Sequence, residues 1–270
     1  MTTRVAIVGA SGKLGTIVCG VIAATDEFEV HALLGSRSDL AEIEGADLVV
    51  DVTTPATSVD VVRAAVERGI PVLVGTSGWS QERIALVRPL AAPSGSRGAS
   101  IPNFSRGSVV GSALAAAAAP FFPSIEIVEA HPNTKIDSPS GTAVRTAELI
   151  AAARREVGPV EAPHVDQRAR GEQVASVPIH SLRVQGVAAR QQVVFGAPGE
   201  TLTISHDTTT PAAAYGPGIL LALRETMRAH GVVVGLDSFI DIGLRAPAAP
   251  SGVGIDDGAA SGQVAGVTSA

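Results

Sequence analysis

Three glycines at positions 9, 12 and 15 constrain this chain more than any other feature. They follow a short apolar run, Arg4–Val8, and precede an apolar, helix-compatible stretch, Thr16–Ala24. In a strand–turn–helix unit of this kind, glycine lets the backbone turn tightly and approach a pyrophosphate. The helix then offers N–H donors and a positive end. The spacing is G-x-x-G-x-x-G, where the commoner form is G-x-G-x-x-G, and the preceding strand is the context that gives such a motif meaning. Gly9, Ser11, Gly12, Lys13, Leu14 and Gly15 are therefore expected to hold a dinucleotide.

The residues that follow keep the same alternation. Phe28–Leu34, Ala46–Val52 and Pro71–Val74 read as strands. Ser58–Gly69 reads as an amphipathic helix stopped by its glycine, and Ser80–Leu90 as another with Ser80 as N-cap. Apolar strands alternating with helices predict a parallel, doubly wound sheet. Such sheets bind ligands outside the carboxyl ends of their strands, where Thr53-Thr54-Pro55 and Gly75-Thr76-Ser77-Gly78 lie. An acid closing the second strand would favour NAD, but the sequence there is Leu33-Leu34-Gly35-Ser36-Arg37-Ser38, with no acid before Asp39. Ser36, Arg37 and Ser38 suit a 2′-phosphate, which a guanidinium grips through two parallel N–H bonds, and Lys13 adds a second positive charge. The expected cofactor is NADPH, with NADH as the alternative.

After Ile101-Pro102-Asn103-Phe104-Ser105-Arg106-Gly107 the pattern changes. Ser108–Ala119, Thr142–Arg155 and Gly216–His230 read as helices, and Ser124–Glu129, Val177–Gly186, Arg190–Gly196 and Thr201–Asp207 as strands. Gly196-Ala197-Pro198-Gly199 reads as a hairpin turn, and Glu156–Gln173 as a polar loop. Val232–Leu236 is a last strand that the pattern assigns to no sheet. This is an α+β arrangement with antiparallel pairing, so a second domain is expected to begin near residue 103.

Basic residues are unevenly chosen: 18 of 20 are Arg, and the two lysines are Lys13 and Lys135. Of these two residue types, only lysine gives up a proton near neutral pH when desolvated. Lys135 lies in Glu126-Ile-Val-Glu129-Ala-His131-Pro-Asn-Thr-Lys135-Ile-Asp137-Ser-Pro-Ser140-Gly141-Thr142-Ala143, which runs from a strand through a polar loop into a helix. Ser140, Gly141 and Thr142 offer two hydroxyls and helix-start N–H groups, a cradle for a carboxylate. His131 can act as acid or base at physiological pH. A blander reading makes Ser140 or Asp137 a helix cap and His131 a satisfied loop histidine. The concentration of a His, a rare Lys and an anion nest in one short segment favours a site. His31, His164, His180 and His230 read as structural or surface residues. His206 reads as a capping or interdomain contact, and Trp79 as core or cofactor border.

Composition narrows the rest. One cysteine, Cys19, excludes an internal disulfide and a thiolate metal cluster, and no cluster has metal-ligand spacing, so no metal is expected. A net charge of −6 gives no electrostatic case for nucleic acid or an anionic membrane. The longest apolar stretch, Val109–Phe122, falls short of a membrane span, and the N-terminus does not read as a signal peptide. A cytoplasmic location is the default expectation. Residues 246–270 carry Ala, Gly, Ser, Pro and Val without a period and read as a disordered tail.

The segment from Glu126 to Ala143 resembles the signature of the 4-hydroxy-tetrahydrodipicolinate reductase (dihydrodipicolinate reductase) family, E-[IV]-x-E-x-H-x-x-x-K-x-D-x-P-S-G-T-A, at every fixed position. Supporting matches are the Gly9–Gly15 loop, Asp51-Val-Thr-Thr-Pro55, Gly75-Thr-Ser-Gly78, Pro102-Asn-Phe-Ser105 and Gly199-Glu-Thr-Leu-Thr-Ile-Ser-His206. The resemblance implies an α/β chain whose Rossmann-like dinucleotide-binding domain comprises residues 1–102 and a returning segment, 213–245. An α+β substrate-binding and tetramerisation domain, 103–212, would be inserted between them. It implies NAD(P)H-dependent reduction of a cyclic dicarboxylate in lysine and diaminopimelate biosynthesis by a homotetramer. His131 and Lys135 would be the acid/base pair. Lys135, Ser140, Gly141 and Thr142 would hold a carboxylate. Thr53, Gly75, Thr76, Ser77, Pro102, Asn103 and Phe104 would contact the cofactor. The chain departs from the pattern at Pro132, where many members have a second His, at Arg106, and at Ser77. Two alternatives stay open at this point: a divergent reductase of another cyclic imine acid, and a non-catalytic NADP(H)-binding regulator.

Overall fold

The computed structural model describes residues 2–77, 79, 83–85, 99–101 and 103–243. Two sheets organise them. The first is wholly parallel, in the order β2-β1-β3-β4-β5-β11, from β1 (Thr3–Val8), β2 (Phe28–Leu34), β3 (Leu48–Asp51), β4 (Val72–Val74), β5 (Ala99–Ile101) and β11 (Val233–Val234). Successive side chains of a strand point to opposite faces, so a sheet covered on both sides needs unbroken apolar runs. In β1, Val5 and Ile7 pack on one face beneath α1 (Lys13–Ala23) and the helix Pro211–Thr226, while Ala6 and Val8 pack on the other beneath α2 (Pro55–Glu67). The order 2-1-3-4-5 places the point where the winding reverses between β1 and β3, and ligands of open α/β sheets bind in that crevice.

Sequence and structure differ in instructive ways here. The first helix starts at Lys13, three residues before the Thr16 expected, so Gly15 lies inside its first turn. A Cβ on Gly15 would stand 2.3 Å from the Gly9 carbonyl oxygen. Gly9 itself has φ +90° and sits against Val52, whose carbonyl oxygen would be 2.5 Å from a Cβ. Both positions therefore exclude any side chain. The short strands β5 and β11 were not resolved as partners in the sequence; Val233 and Val234 pair in parallel with Ser100 and Ile101, which assigns Val232–Leu236 to the first sheet. Of the helix expected over Ser80–Leu90, residues 83–85 are helical and the remainder, with its N-cap Ser80, lies outside the described residues. The tail 246–270 lies outside them too.

The second sheet has the order β10-β9-β6-β8-β7, from β6 (Ser124–His131), β7 (Glu172–Val174), β8 (Val177–Arg183), β9 (Ala189–Ala197) and β10 (Glu200–Thr208). It is mixed: β6 and β8 run parallel, against the expectation of antiparallel pairing alone, and β7 begins within the segment read as loop. Gly199, at φ +86°, closes the β9–β10 hairpin. Helices α3 (Arg106–Ala118) and α4 (Gly141–Ala153) contribute Ala115, Ala143 and Ala147 to the core over this sheet; these small residues meet Ile125, Ile127, Ile179 and Phe195. A hydroxyl–hydroxyl bond of 2.7 Å between Ser112 and Thr146 joins α3 to α4. The helix Pro211–Thr226, α5, returns the chain to the first sheet and packs on α1.

Candidate functional site

The carboxyl edge of the first sheet is built for close approach. Gly12 is the N-cap of α1, and its side-chain-free backbone leaves the helix entry bare. Ser11, Gly12 and Lys13 are exposed there, and Leu14 packs against the core behind them. Arg37 is exposed in the turn after β2, which Ser38 closes by accepting the Gly35 N–H at 3.1 Å. At the end of β3 the buried Asp51 accepts from the Thr53 amide at 3.1 Å and its hydroxyl at 2.6 Å, fixing the loop beside Gly9. Ser58 also donates to Asp51 and accepts from the Trp79 indole N–H at 2.9 Å. Trp79 thus packs on the core with its polar end satisfied, as the first of the two sequence alternatives has it.

One contact links this edge to the second sheet. The Phe104 ring fits against Gly75, where a Cβ would lie 2.5 Å from the ring edge, and the Phe104 carbonyl fits against Gly218 of α5. The chain from 103 to 105 is thereby held between β4 and α5. Asn103 reaches from it to the Ser108 and Thr142 hydroxyls, at 3.1 and 3.2 Å. Pro102 lies outside the described residues, as do Gly78 and the side chains of 99–101.

Around Asn103 a cleft opens, lined also by His131, Ser140, Thr142, Gln191 and His206. Ser140 is the N-cap of α4; its hydroxyl accepts from the Ala143 N–H at 3.3 Å, leaving the Gly141 and Thr142 amides at the helix start. His206 comes from β10, with Nε2 at 3.4 Å from the hydroxyl of Ser105, the N-cap of α3; Gly107 leaves room for the ring, since a Cβ there would meet it at 2.7 Å. Burial lowers the pKa of His206, opposed by Asp207, so the ring favours its neutral form. Tyr215, from α5, reaches the same cleft, and burial raises its phenol pKa against the Thr208 hydrogen bond. Lys135 does not line the cleft. Its Nζ is held by both oxygens of Asp137, each at 2.7 Å, in a turn closed by the Lys135 amide on the Pro132 carbonyl at 3.0 Å.

Beneath His131 lies Glu129, a fixed position of the 126–143 signature to which reading along the sequence assigned no role. Glu129 is fully buried, and its Oε2 is 2.5 Å from His131 Nδ1. Arg183 of β8 grips both oxygens, at 2.9 and 3.0 Å, and the Ser140 amide donates to Oε1 at 3.2 Å. Burial by itself raises this carboxyl, but the hydrogen bonds from His131 and Arg183 outweigh it and hold the group at about 2, against an ordinary 4.5. A lowered carboxyl pKa contributes stability that is complete above the unfolded value and is lost as pH falls towards the folded one. The midpoint of urea unfolding is accordingly expected to fall between pH 4.5 and about 2, and Glu129→Gln should flatten that limb. An unchanged limb would mean that other carboxylates produce it. The signal that could have found Glu129 is its spacing: two residues before His131 on a strand, it shares that residue's face.

Among the described residues no helix is long and apolar enough to cross a membrane, and no group of three His, Cys, Asp or Glu is placed to hold a metal ion.

Comparison with known proteins gives a consistent picture. The family model for the N-terminus of dihydrodipicolinate reductase matches residues 3–104, and that for its C-terminus matches residues 107–240. The 4-hydroxy-tetrahydrodipicolinate reductase of Clavibacter sepedonicus is 58% identical over the whole of both chains. That of Streptomyces coelicolor is 41% identical over 88% of this chain and 98% of its own. Among solved structures, a dipicolinate-bound dihydrodipicolinate reductase from Paenisporosarcina sp. TG-14 superimposes with a TM-score of 0.70 at 27% identity, covering 89% of this chain and all of that one.

Proposed function

The chain belongs to the dihydrodipicolinate reductase family, and from that premise we propose that it reduces 4-hydroxy-tetrahydrodipicolinate to tetrahydrodipicolinate, with loss of water, using NAD(P)H in lysine and diaminopimelate biosynthesis. The observation that carries the reading at the level of residues is the cleft that gathers His131, Ser140, Thr142 and Asn103. These are an acid/base group, a helix-start anion cradle, and a residue from the loop that packs on Gly75.

In this reading residues 1–102 and 213–245 hold the dinucleotide, and 103–212 take the substrate and assemble a cytoplasmic homotetramer. Gly9, Ser11, Gly12, Lys13, Leu14 and Gly15 cradle the pyrophosphate; the close packing at Gly9 and Gly15 fits such a loop, because side chains there would collide with the chain itself. Thr53, Gly75, Thr76 and Ser77, with Pro102, Asn103 and Phe104, flank the nicotinamide, which when bound supplies a hydride. Hydride addition to a conjugated imine builds negative charge that has to be protonated. His131 and Lys135 are the groups that supply or relay that proton. The Ser140 hydroxyl, the amides of Gly141 and Thr142 and the Lys135 ammonium hold a carboxylate of the dianionic substrate. Lys135 already grips a carboxylate, that of Asp137, so substrate capture is an exchange of one carboxylate for another.

The deciding experiment follows loss of NADPH absorbance with substrate made in place from pyruvate and aspartate semialdehyde by the preceding enzyme. Rapid oxidation supports the reading; NADPH binding without oxidation would restrict it to cofactor and fold. NADPH is the preferred nucleotide in this reading, on the strength of Arg37 and the lack of an acid at the end of β2. Arg37→Ala should weaken NADPH about tenfold or more, the worth of a charge-assisted hydrogen bond, while NADH binding stays near its starting value. Equal weakening of both, measured by fluorescence titration, would remove Arg37 from the 2′-phosphate.

A further inference from the structure

We propose that Glu129 is a positioning residue for proton transfer at His131, with Arg183 as the group that fixes its carboxylate. The inference rests on the reading of His131 given above and deepens it. Glu129 and His131 lie two apart on β6, and β8 runs beside them with Arg183 directly opposite His131 in the register. The three side chains therefore converge at the end of these two strands.

The geometry assigns each nitrogen of the ring. Nδ1 faces the Glu129 Oε2 at 2.5 Å, so in the neutral imidazole Nδ1 carries the hydrogen and Nε2 is the nitrogen left for a bound molecule. A carboxylate in this place also stabilises the imidazolium that accompanies proton exchange, the division of labour seen wherever a buried acid orients a catalytic histidine. The carboxylate cannot swing away. Arg183 holds both of its oxygens and the Ser140 amide holds one. Arg183 Nη2 donates in addition to the Asp137 carbonyl at 2.6 Å. One guanidinium thus sets the His131 ring, through Glu129, and the turn that carries Lys135. The Ser140 bond extends the same cluster to the anion cradle, so all three elements of the site are referred to one buried carboxylate. A carboxylate serving only to neutralise Arg183 would not need His131 within hydrogen-bond distance at the mouth of a cleft.

The test compares the wild type, Glu129→Gln, His131→Gln and the double variant as full-length enzymes, in the coupled assay described above. Glu129→Gln should lower kcat roughly 10- to 100-fold, a part of what general acid–base catalysis supplies, with KM for NADPH unchanged. In the His131→Gln background the same replacement should cost no further activity, because a residue that acts through another has nothing left to act on. An equal loss in both backgrounds would overturn the proposal and leave Glu129 a structural partner of Arg183. NADPH titration and circular dichroism establish that the variants are folded. If Glu129→Gln does not fold, Glu129→Asp takes its place in both backgrounds under the same criterion, since it keeps a charge for Arg183 but withdraws it from the ring. A His131→Gln enzyme with wild-type kcat would overturn the assignment of His131, and this proposal with it.

Discussion

Replacing Lys135 by alanine is expected to lower kcat/KM for the imine substrate by a factor on the order of 10²–10⁴, while the dissociation constant for NADPH stays near the wild-type value. The effect has two sources. In the proposed reading the ammonium both grips a substrate carboxylate and supplies or relays the proton. Its present partner is the Asp137 carboxylate, at 2.7 Å to both oxygens, and the pair is only partly buried, so the ammonium can change partners without unfolding the turn. A half-exposed pair of this kind contributes little to stability, so the variant should melt close to the wild type. Steady-state kinetics in both substrates, with NADPH binding measured separately, decide the matter. Turnover unaffected by the change would remove Lys135 from the reaction altogether.

Gly218→Ala is expected to damage stability and activity together. A Cβ at 218 would lie 1.9 Å from the Phe104 carbonyl oxygen, and the atoms it meets are backbone, which cannot rotate away. Either α5 moves off the first sheet or the segment at 103–105 moves with it. Overpacking of this kind costs about 1–3 kcal/mol and sometimes more, equivalent to a fall of a few degrees in Tm per kcal/mol for a chain of this size. The functional loss follows from Asn103, the neighbour of Phe104, whose amide bonds to Thr142 at 3.2 Å. Displacing it separates the glycine-loop side of the molecule from the anion cradle. A drop in kcat/KM larger than the drop in Tm explains, measured well below the melting point, is the expected result. A variant with unchanged kinetics and a lower Tm would show that the cleft does not depend on the seating of Phe104.

Much of this was legible from the residues alone, for physical reasons. The central strands β3 and β4 are apolar because both faces of their sheet are covered, and a Val/Ile/Leu run of that kind shows without reference to distant parts of the chain. The segment 126–143 was legible because its donors, acceptors and ammonium follow one another along the chain. Other features depend on partners far away in sequence. Arg183 meets Glu129 across 54 residues, and nothing local to either announces the other. β5 and β11 are three and two residues long, too short to carry a period, and exist as strands because the neighbouring strand is there to receive them. The start of α1 was misplaced because Gly15 reads as turn. Its reason for being glycine is contact with the Gly9 carbonyl, not the turn itself. His206 was read as a capping or interdomain contact; it meets the N-cap Ser105, and its place in the cleft is set by β10 and by the space over Gly107.

The contact between Ser105 and His206 has a consequence for how such a molecule can diversify. These residues are 101 positions apart and meet at 3.4 Å, so the chain leaves and re-enters the parallel sheet's side of the molecule through one doorway. Everything between them is a closed excursion, and the entropy of closing such a loop grows only slowly with its length. Another excursion with the same end-to-end separation would also have to meet α5 and the turn at 236–239, which α3 packs against and which Arg145 reaches through Asp237 at 3.8 Å. With the roles proposed above, the molecule is in this sense a socket and a cassette: one part serves the cofactor, and the other presents the substrate surface through a single pair of hinges.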